Sequence, residues 1–234
     1  MIFYDSKMMA EEAAELFSIF DKVYDEKMEI ECYVEDSELE GYGVYTCSGA
    51  SRVVFGLEFG EFVFKTDIKE GYCNKEFLNY QYAIKHGYSE YFCPIEYVGE
   101  YHGKHWFGMP KLYCVDNEYG ISEISDRLYQ KLRETHSKEN AEQILEELEN
   151  DSEEAVVREY FTQYYGNVEY ETFENFLWKY DINDLHSGNV GFIDDFPVFI
   201  DYSGYVGTIP CDVIEDLNEQ MKKYYASPLY KWEI

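Results

Sequence analysis

The chain has 234 residues, 46% of them hydrophobic, and a net charge of -29. That apolar content excludes a disordered acidic tail, because it is enough to offset the entropy lost on folding. The charge excludes a protein that grips nucleic acid or anionic lipid through its general surface, since both need a basic footprint.

The length allows one domain or two small lobes. Cys32, Cys47, Cys73, Cys93, Cys114 and Cys211 form no Cys-x-x-Cys pair, and the first residues carry no secretory pattern. They read as free thiols in a reducing compartment, so a cytoplasmic protein is expected. No apolar run approaches the ~18 residues of a membrane span, so no membrane partner is expected.

In chain order, Ala10 to Val23 sets Ala13, Leu16, Phe17, Phe20 and Val23 at helical spacing and predicts an amphipathic helix. Glu29 to Leu39 is acidic and ambiguous. Val44-Tyr-Thr, Arg52-Val-Val-Phe and Glu61-Phe-Val-Phe-Lys65 then read as three antiparallel strands, punctuated by Ser48-Gly-Ala-Ser51, Gly56 and Gly60. Asn74 to His86 is helical, with Gly87 as its stop. Ile95 to Tyr101 and Trp106 to Tyr113 are two further strands around a His102-Gly-Lys104 turn. Five strands with a helix after the third predict an α+β fold.

The second half is mainly helical. Ile121 to Thr135 is one helix, and Asn140 to Tyr165 is a second that Asn150-Asp-Ser152 breaks in two. Phe173, Phe176, Leu177 and Tyr180 mark another. Asp212 to Lys223 closes the pattern with a short helix.

Chemistry concentrates between Asp181 and Gly204. Val190-Gly-Phe-Ile193 and Val198-Phe-Ile200 flank a turn-like Asp194-Asp-Phe-Pro197, which predicts a hairpin. Asn189 and Asp201 lie just outside its open end, where strands about 5 Å apart let both oxygens reach one cation. Mg²⁺ favours such a partial set, completed by water and phosphate oxygens. Asp184, in the loop before Asn189, offers a carboxylate that accepts a proton from an attacking hydroxyl. No Gly-x-x-x-x-Gly-Lys-Ser/Thr loop is present. The other phosphate-binding solution is a Gly-containing hairpin with a lysine on the next strand. Ser48, Gly49, Ala50 and Ser51, followed by Lys65, fit it, and Glu76 on the next helix is placed to hold the Lys65 ammonium.

In this order of features the chain resembles the protein-kinase-like superfamily. Asp184-Leu-His-Ser-Gly-Asn189 is more similar to the Asp-Leu-His-x-x-Asn loop of aminoglycoside and choline kinases than to the Asp-Leu-Lys form of ordinary protein kinases. The resemblance spans about Gly43 to Gly204. It implies a two-lobed fold: a helical extension over residues 1–40, a five-stranded N-lobe over 41–113, and a reduced helical C-lobe over 114–234 with its catalytic loop at 182–189. It implies ATP and Mg²⁺ as cofactors. Lys65 would contact the α- and β-phosphates and pair with Glu76. Backbone N–H groups around Ser48 to Ser51 would cover the phosphates. Met109 would stand at the gatekeeper place, and Pro110, Lys111 and Leu112 would meet the adenine. Asp184 would be the base, His186 would sit near the γ-phosphate, and Asn189 and Asp201 would hold Mg²⁺.

The pattern departs from the family at several points, and the connection of only 10 residues between Lys65 and Glu76 is short. The loop keeps one central glycine, Gly49; Ile182 stands where a histidine is usual; and Asp201-Tyr-Ser-Gly204 is one residue longer than Asp-Phe-Gly. Three functions follow as expectations. The first is a phosphotransferase acting on a hydroxyl of a protein or small molecule. The second is a pseudokinase scaffold. The third is an acidic interaction protein.

Overall fold

The computed structural model describes residues 5–23, 37–48, 51–114, 120–182, 186–193, 195–204 and 209–230. The chain divides into two compact units: a sheet unit of Met1–Ser89, Pro94–Lys111 and Gly207–Ile234, and a helical unit of Glu90–Cys93 and Leu112–Val206. The architecture is α+β: a five-stranded antiparallel sheet, then a helical region that contains a β-hairpin.

In the sheet unit, α1 (Ser6–Val23) and the short α2 (Ser37–Gly41) precede β1 (Val44–Ser48), β2 (Arg52–Leu57) and β3 (Phe62–Asp67). Helix α3 (Tyr72–His86) separates these from β4 (Glu96–Tyr101) and β5 (Lys104–Pro110). The strand order is β1-β2-β3-β5-β4. Side chains alternate across a strand, so Val53, Phe55 and Leu57 of β2 share a face with Phe62 and Phe64 of β3. This face receives the apolar stripe of α1, whose Ala13, Leu16, Phe17 and Phe20 are buried. Phe17 stands edge-on to Trp106 at 5.1 Å between centroids, and Phe20 edge-on to Phe55 at 5.0 Å. The Glu12 carboxylate accepts from the Glu61 and Phe62 N–H groups, tying α1 to the start of β3. The helix predicted from Ala10 therefore starts at Ser6 and forms a layer of the sheet unit.

The opposite face carries Arg52, Val54 and Lys65 and meets α3, with Phe77 and Phe107 at 5.7 Å between ring centroids. Two orphan N–H groups at the start of α3, on Gly71 and Cys73, donate to the Asp67 carboxylate at 2.9 and 2.8 Å. Gly87, at φ 81°, closes the helix in the left-handed conformation that glycine adopts without strain. Helix α8 (Cys211–Tyr225) also belongs here, although the sequence grouping puts it with the helical half. Asn218 accepts from Asn74, Gln220 accepts from Tyr82, and Tyr224 packs edge-on against Phe77 at 4.8 Å. Helical periodicity marks one face as apolar without saying which surface it covers.

The helical unit contains β6 (Tyr113–Cys114), α4 (Gly120–Thr135), α5 (Lys138–Asp151), α6 (Glu153–Tyr165), α7 (Asn167–Lys179), β7 (Val190–Ile193) and β8 (Phe196–Phe199). The break expected at Asn150 to Ser152 falls at Ser152, whose hydroxyl accepts from the Ala155 N–H and caps α6. Strands β7 and β8 pair as a hairpin, but β8 starts at Phe196, inside the stretch expected as the turn, because Phe196 and Pro197 extend the ladder opposite Ile193 and Phe192; β6, too short to read from sequence, adds a third strand beside β7. Phe161 stacks on Phe199 at 4.4 Å, and Phe173 stacks on Tyr91 at 4.0 Å. No helix among the described residues is long and apolar enough to cross a membrane.

Candidate functional site

The candidate residues fall into two groups, one in each unit. In the sheet unit, Lys65 of β3 and Glu76 of α3 form an ion pair. The Lys65 Nζ donates to Glu76 Oε1 at 3.0 Å and to Oε2 at 3.2 Å. Strand alternation turns Lys65 toward α3, while Phe64 and Thr66 point away. Glu76 is fully buried and Lys65 nearly so. A carboxylate at this depth needs compensating charge, and breaking such a pair by removing one partner costs about 3–5 kcal/mol.

Glu76 has a second cation. The Arg52 guanidinium, at the start of β2, donates to Glu76 Oε2 at 2.8 Å and is also buried. Arg52 stands directly across the strand pair from Asp67, and its guanidinium lies 5.8 Å from the Tyr72 ring centroid. Burial raises the Asp67 pKa, against the hydrogen bonds from Cys73 and Gly71 and the charge of Arg52. Sequence reasoning took Arg52 as a strand residue. The signal available was its place, two residues before Val54, which pairs with Lys65 in the register, and so on the same face.

Around this trio, Ser48 is exposed at the end of β1, and Gly49 and Ala50 lie outside the described residues. Ser51 is buried, and its carbonyl accepts from the Ile68 and Lys69 N–H groups at 2.9 and 3.1 Å. Met109 is buried on β5 opposite Val63. The Lys111 N–H donates to the Glu61 carbonyl at 2.7 Å, and its ammonium donates to the Leu57 and Glu58 carbonyls and lies 4.7 Å from the Tyr45 ring centroid. Leu112 opens the second segment of the helical unit and is half-buried.

In the helical unit, Asp184 lies outside the described residues. His186 is exposed, and its Nδ1 accepts from the Gly188 N–H at 3.1 Å, which tightens the 3₁₀ turn Ser187–Asn189. The Ser187 N–H and hydroxyl both donate to the Glu153 carboxylate at the start of α6. Burial works to raise the Glu153 pKa, but the two Ser187 hydrogen bonds and the charge of His186 outweigh it and hold the carboxyl below its ordinary value. Glu153 is a second residue that sequence reasoning missed; it looked like one of many acidic helix positions.

Asn189 is buried at the foot of the hairpin. Its carbonyl accepts from the Ile200 N–H at 3.0 Å, so the ladder continues one step past Val190 and Phe199. Asp201 follows directly and is half-buried. The register thus brings Asn189 and Asp201 to the same open end. The Tyr202 hydroxyl donates to the Cys93 carbonyl at 2.6 Å and anchors the segment after the hairpin. Among the described residues no three His, Cys, Asp or Glu side chains gather into a metal cage. Asn189 and Asp201 thus place an amide and a carboxylate side chain on residues next to one another at the hairpin mouth. In the sheet unit, two cations, Lys65 and Arg52, share one buried carboxylate, Glu76. The chain matches no protein-family model, and no curated protein matches it.

Proposed function

We propose that the chain is a small, atypical member of the protein-kinase-like superfamily that binds Mg²⁺-ATP and transfers a phosphoryl group to a hydroxyl of a protein or small molecule. The observation that carries the reading is the buried pairing of Lys65 with Glu76, strand lysine to next-helix glutamate. A lysine of the surface kind would not be turned into the unit and matched to a fully buried carboxylate. The β7–β8 hairpin between Asn189 and Asp201 supports the same reading.

In this reading Lys65 binds the α- and β-phosphates as a point charge, and Glu76 fixes where its ammonium sits. Asn189 and Asp201 fit Mg²⁺, which favours one or two protein oxygens alongside water and phosphate oxygens. When bound, the ion neutralises negative charge on the phosphates. Asp184 takes the proton of the attacking hydroxyl. His186 and Ser187 hold the turn that leads into β7, through Gly188 and Glu153.

The test is thermal unfolding with and without Mg²⁺ and ATP, for wild type, Lys65→Ala and Asp201→Asn. At 100 times its dissociation constant the ligand stabilises the fold by about 2.7 kcal/mol, a shift of about 5–10 °C at this size. The expected result is a Mg²⁺-dependent shift that both variants lose. No shift at millimolar ATP overturns the reading and leaves a kinase-shaped scaffold or an acidic interaction protein. Asp184→Ala is expected to abolish transfer and spare binding. A second reading, a nucleotide-binding scaffold without transfer, draws on Ile182, a buried apolar side chain where the family has a histidine. A full thermal shift with no turnover on any hydroxyl substrate favours it.

A further inference from the structure

The Lys65–Glu76 pair raises a problem for any phosphate site built on it. A lysine that turns part of its charge toward a phosphate weakens its hold on the carboxylate, and Glu76 has no solvent to fall back on. If Lys65 alone compensated Glu76, binding the nucleotide would pull against the placement of α3.

Arg52 resolves the conflict. Its 2.8 Å hydrogen bond goes to Glu76 Oε2, while the shorter of the two Lys65 contacts, at 3.0 Å, goes to Oε1. The two cations thus meet the carboxylate on both oxygens. Arg52 also reaches the start of the same helix. It stands opposite Asp67, whose carboxylate accepts from the Gly71 and Cys73 N–H groups, and it lies against the Tyr72 ring. One side chain of β2 therefore holds α3 at its first turn and at Glu76.

We infer that Arg52 is a positioning residue of the nucleotide site: it compensates Glu76 and fixes α3, so that the Lys65 ammonium can be shared with a phosphate without leaving a buried carboxylate uncompensated. The inference rests on the nucleotide reading above and adds to it the residue that makes the lysine available. Arg52 does not touch the substrate; it acts through Glu76.

The experiment is isothermal titration of Mg²⁺-ATP and of adenosine into wild type, Arg52→Met and Arg52→Lys. Adenosine carries no phosphate, so a positioning defect at Lys65 leaves it untouched, whereas a general loss of fold weakens both ligands. Arg52→Met is expected to lower Mg²⁺-ATP affinity by about tenfold or more while adenosine affinity stays within about twofold. Arg52→Lys restores most of the loss, because it keeps the cation. If Arg52→Met does not fold, the same change is made in a Glu76→Gln background and compared with Glu76→Gln alone: because Arg52 acts through Glu76, adding Arg52→Met is expected to change Mg²⁺-ATP affinity by no more than about twofold, and a further loss of about tenfold overturns the inference. For Arg52→Met alone, equal loss of both ligands overturns the inference, as does an unchanged ATP affinity. Wild-type protein that binds neither ligand overturns the nucleotide reading itself, a different result from either.

Discussion

Gly204 ends the Asp201-Tyr-Ser-Gly run with φ at 77°, in the left-handed region. A Cβ added there would collide with the Asp181 carbonyl oxygen, which is backbone and has little room to give. Gly204→Ala is expected to destabilise the protein by more than about 1 kcal/mol, read as a fall in the urea midpoint. The glycine was legible as part of a motif; its steric reason was not, because Asp181 approaches it only in the fold. The cysteines divide in the same way. Cys47 and Cys211 are exposed, whereas Cys73 and Cys93 are buried. Burial also pushes the Cys73 thiol well up, with the Asp67 carboxylate adding to it. A thiol reagent on the native protein is expected to label Cys47 and Cys211 and to spare Cys73 and Cys93, checked by peptide mass. Cys47 pairs with Val54, which pairs with Lys65, so all three share one sheet face. Under the nucleotide reading, Mg²⁺-ATP slows labelling of Cys47 and not of Cys211.

At the scale of elements, α1 lies within residues 1–40, the span expected as a helical extension. It is the cover of one sheet face, with Phe17 and Phe20 at its centre. Phe17→Ala is expected to cost about 3–5 kcal/mol, measured by chemical unfolding, a value typical of a core aromatic and far above that of a surface helix. Ser152→Ala removes the α6 cap and is expected to cost about 1 kcal/mol. The cap was readable because Ser before Glu-Glu and an apolar run is a local signal. Strand β6 was not readable, because two residues carry no periodicity; it exists only through its ladder with β7. The partner of α8 was equally out of reach, since its contacts with α3 lie far away in sequence.

At the scale of the whole molecule, charge and tyrosine govern the response to solution conditions. A net charge of -29 sets up self-repulsion in the compact state, so raising salt toward about 0.5 M is expected to raise Tm. Buried phenols set the alkaline limit. Burial, and then the charge of Glu100, push Tyr97 up to about 12 from an ordinary value of 10.0. Burial likewise raises Tyr160, Tyr165, Tyr170 and Tyr225. A pKa raised in the folded state contributes stability that is fully present below the unfolded value and is lost as pH rises through the folded one. Stability is therefore expected to fall between pH 10 and about 12, followed by the urea midpoint, and Tyr97→Phe should blunt that fall.

The sequence by itself determined the α+β class, the run of five strands around a helix, the break at Ser152 and the hairpin between Asn189 and Asp201. Each of these rests on local periodicity or turn chemistry, which neighbouring residues carry among themselves. Only the tertiary structure decided that Arg52 shares Glu76 with Lys65, that Glu153 holds Ser187, that α1 roofs the sheet and that α8 packs on α3. Those are pairings between residues distant in the chain, and burial selects them. An arginine or glutamate looks the same in sequence whether it is solvated or sealed beside its opposite charge.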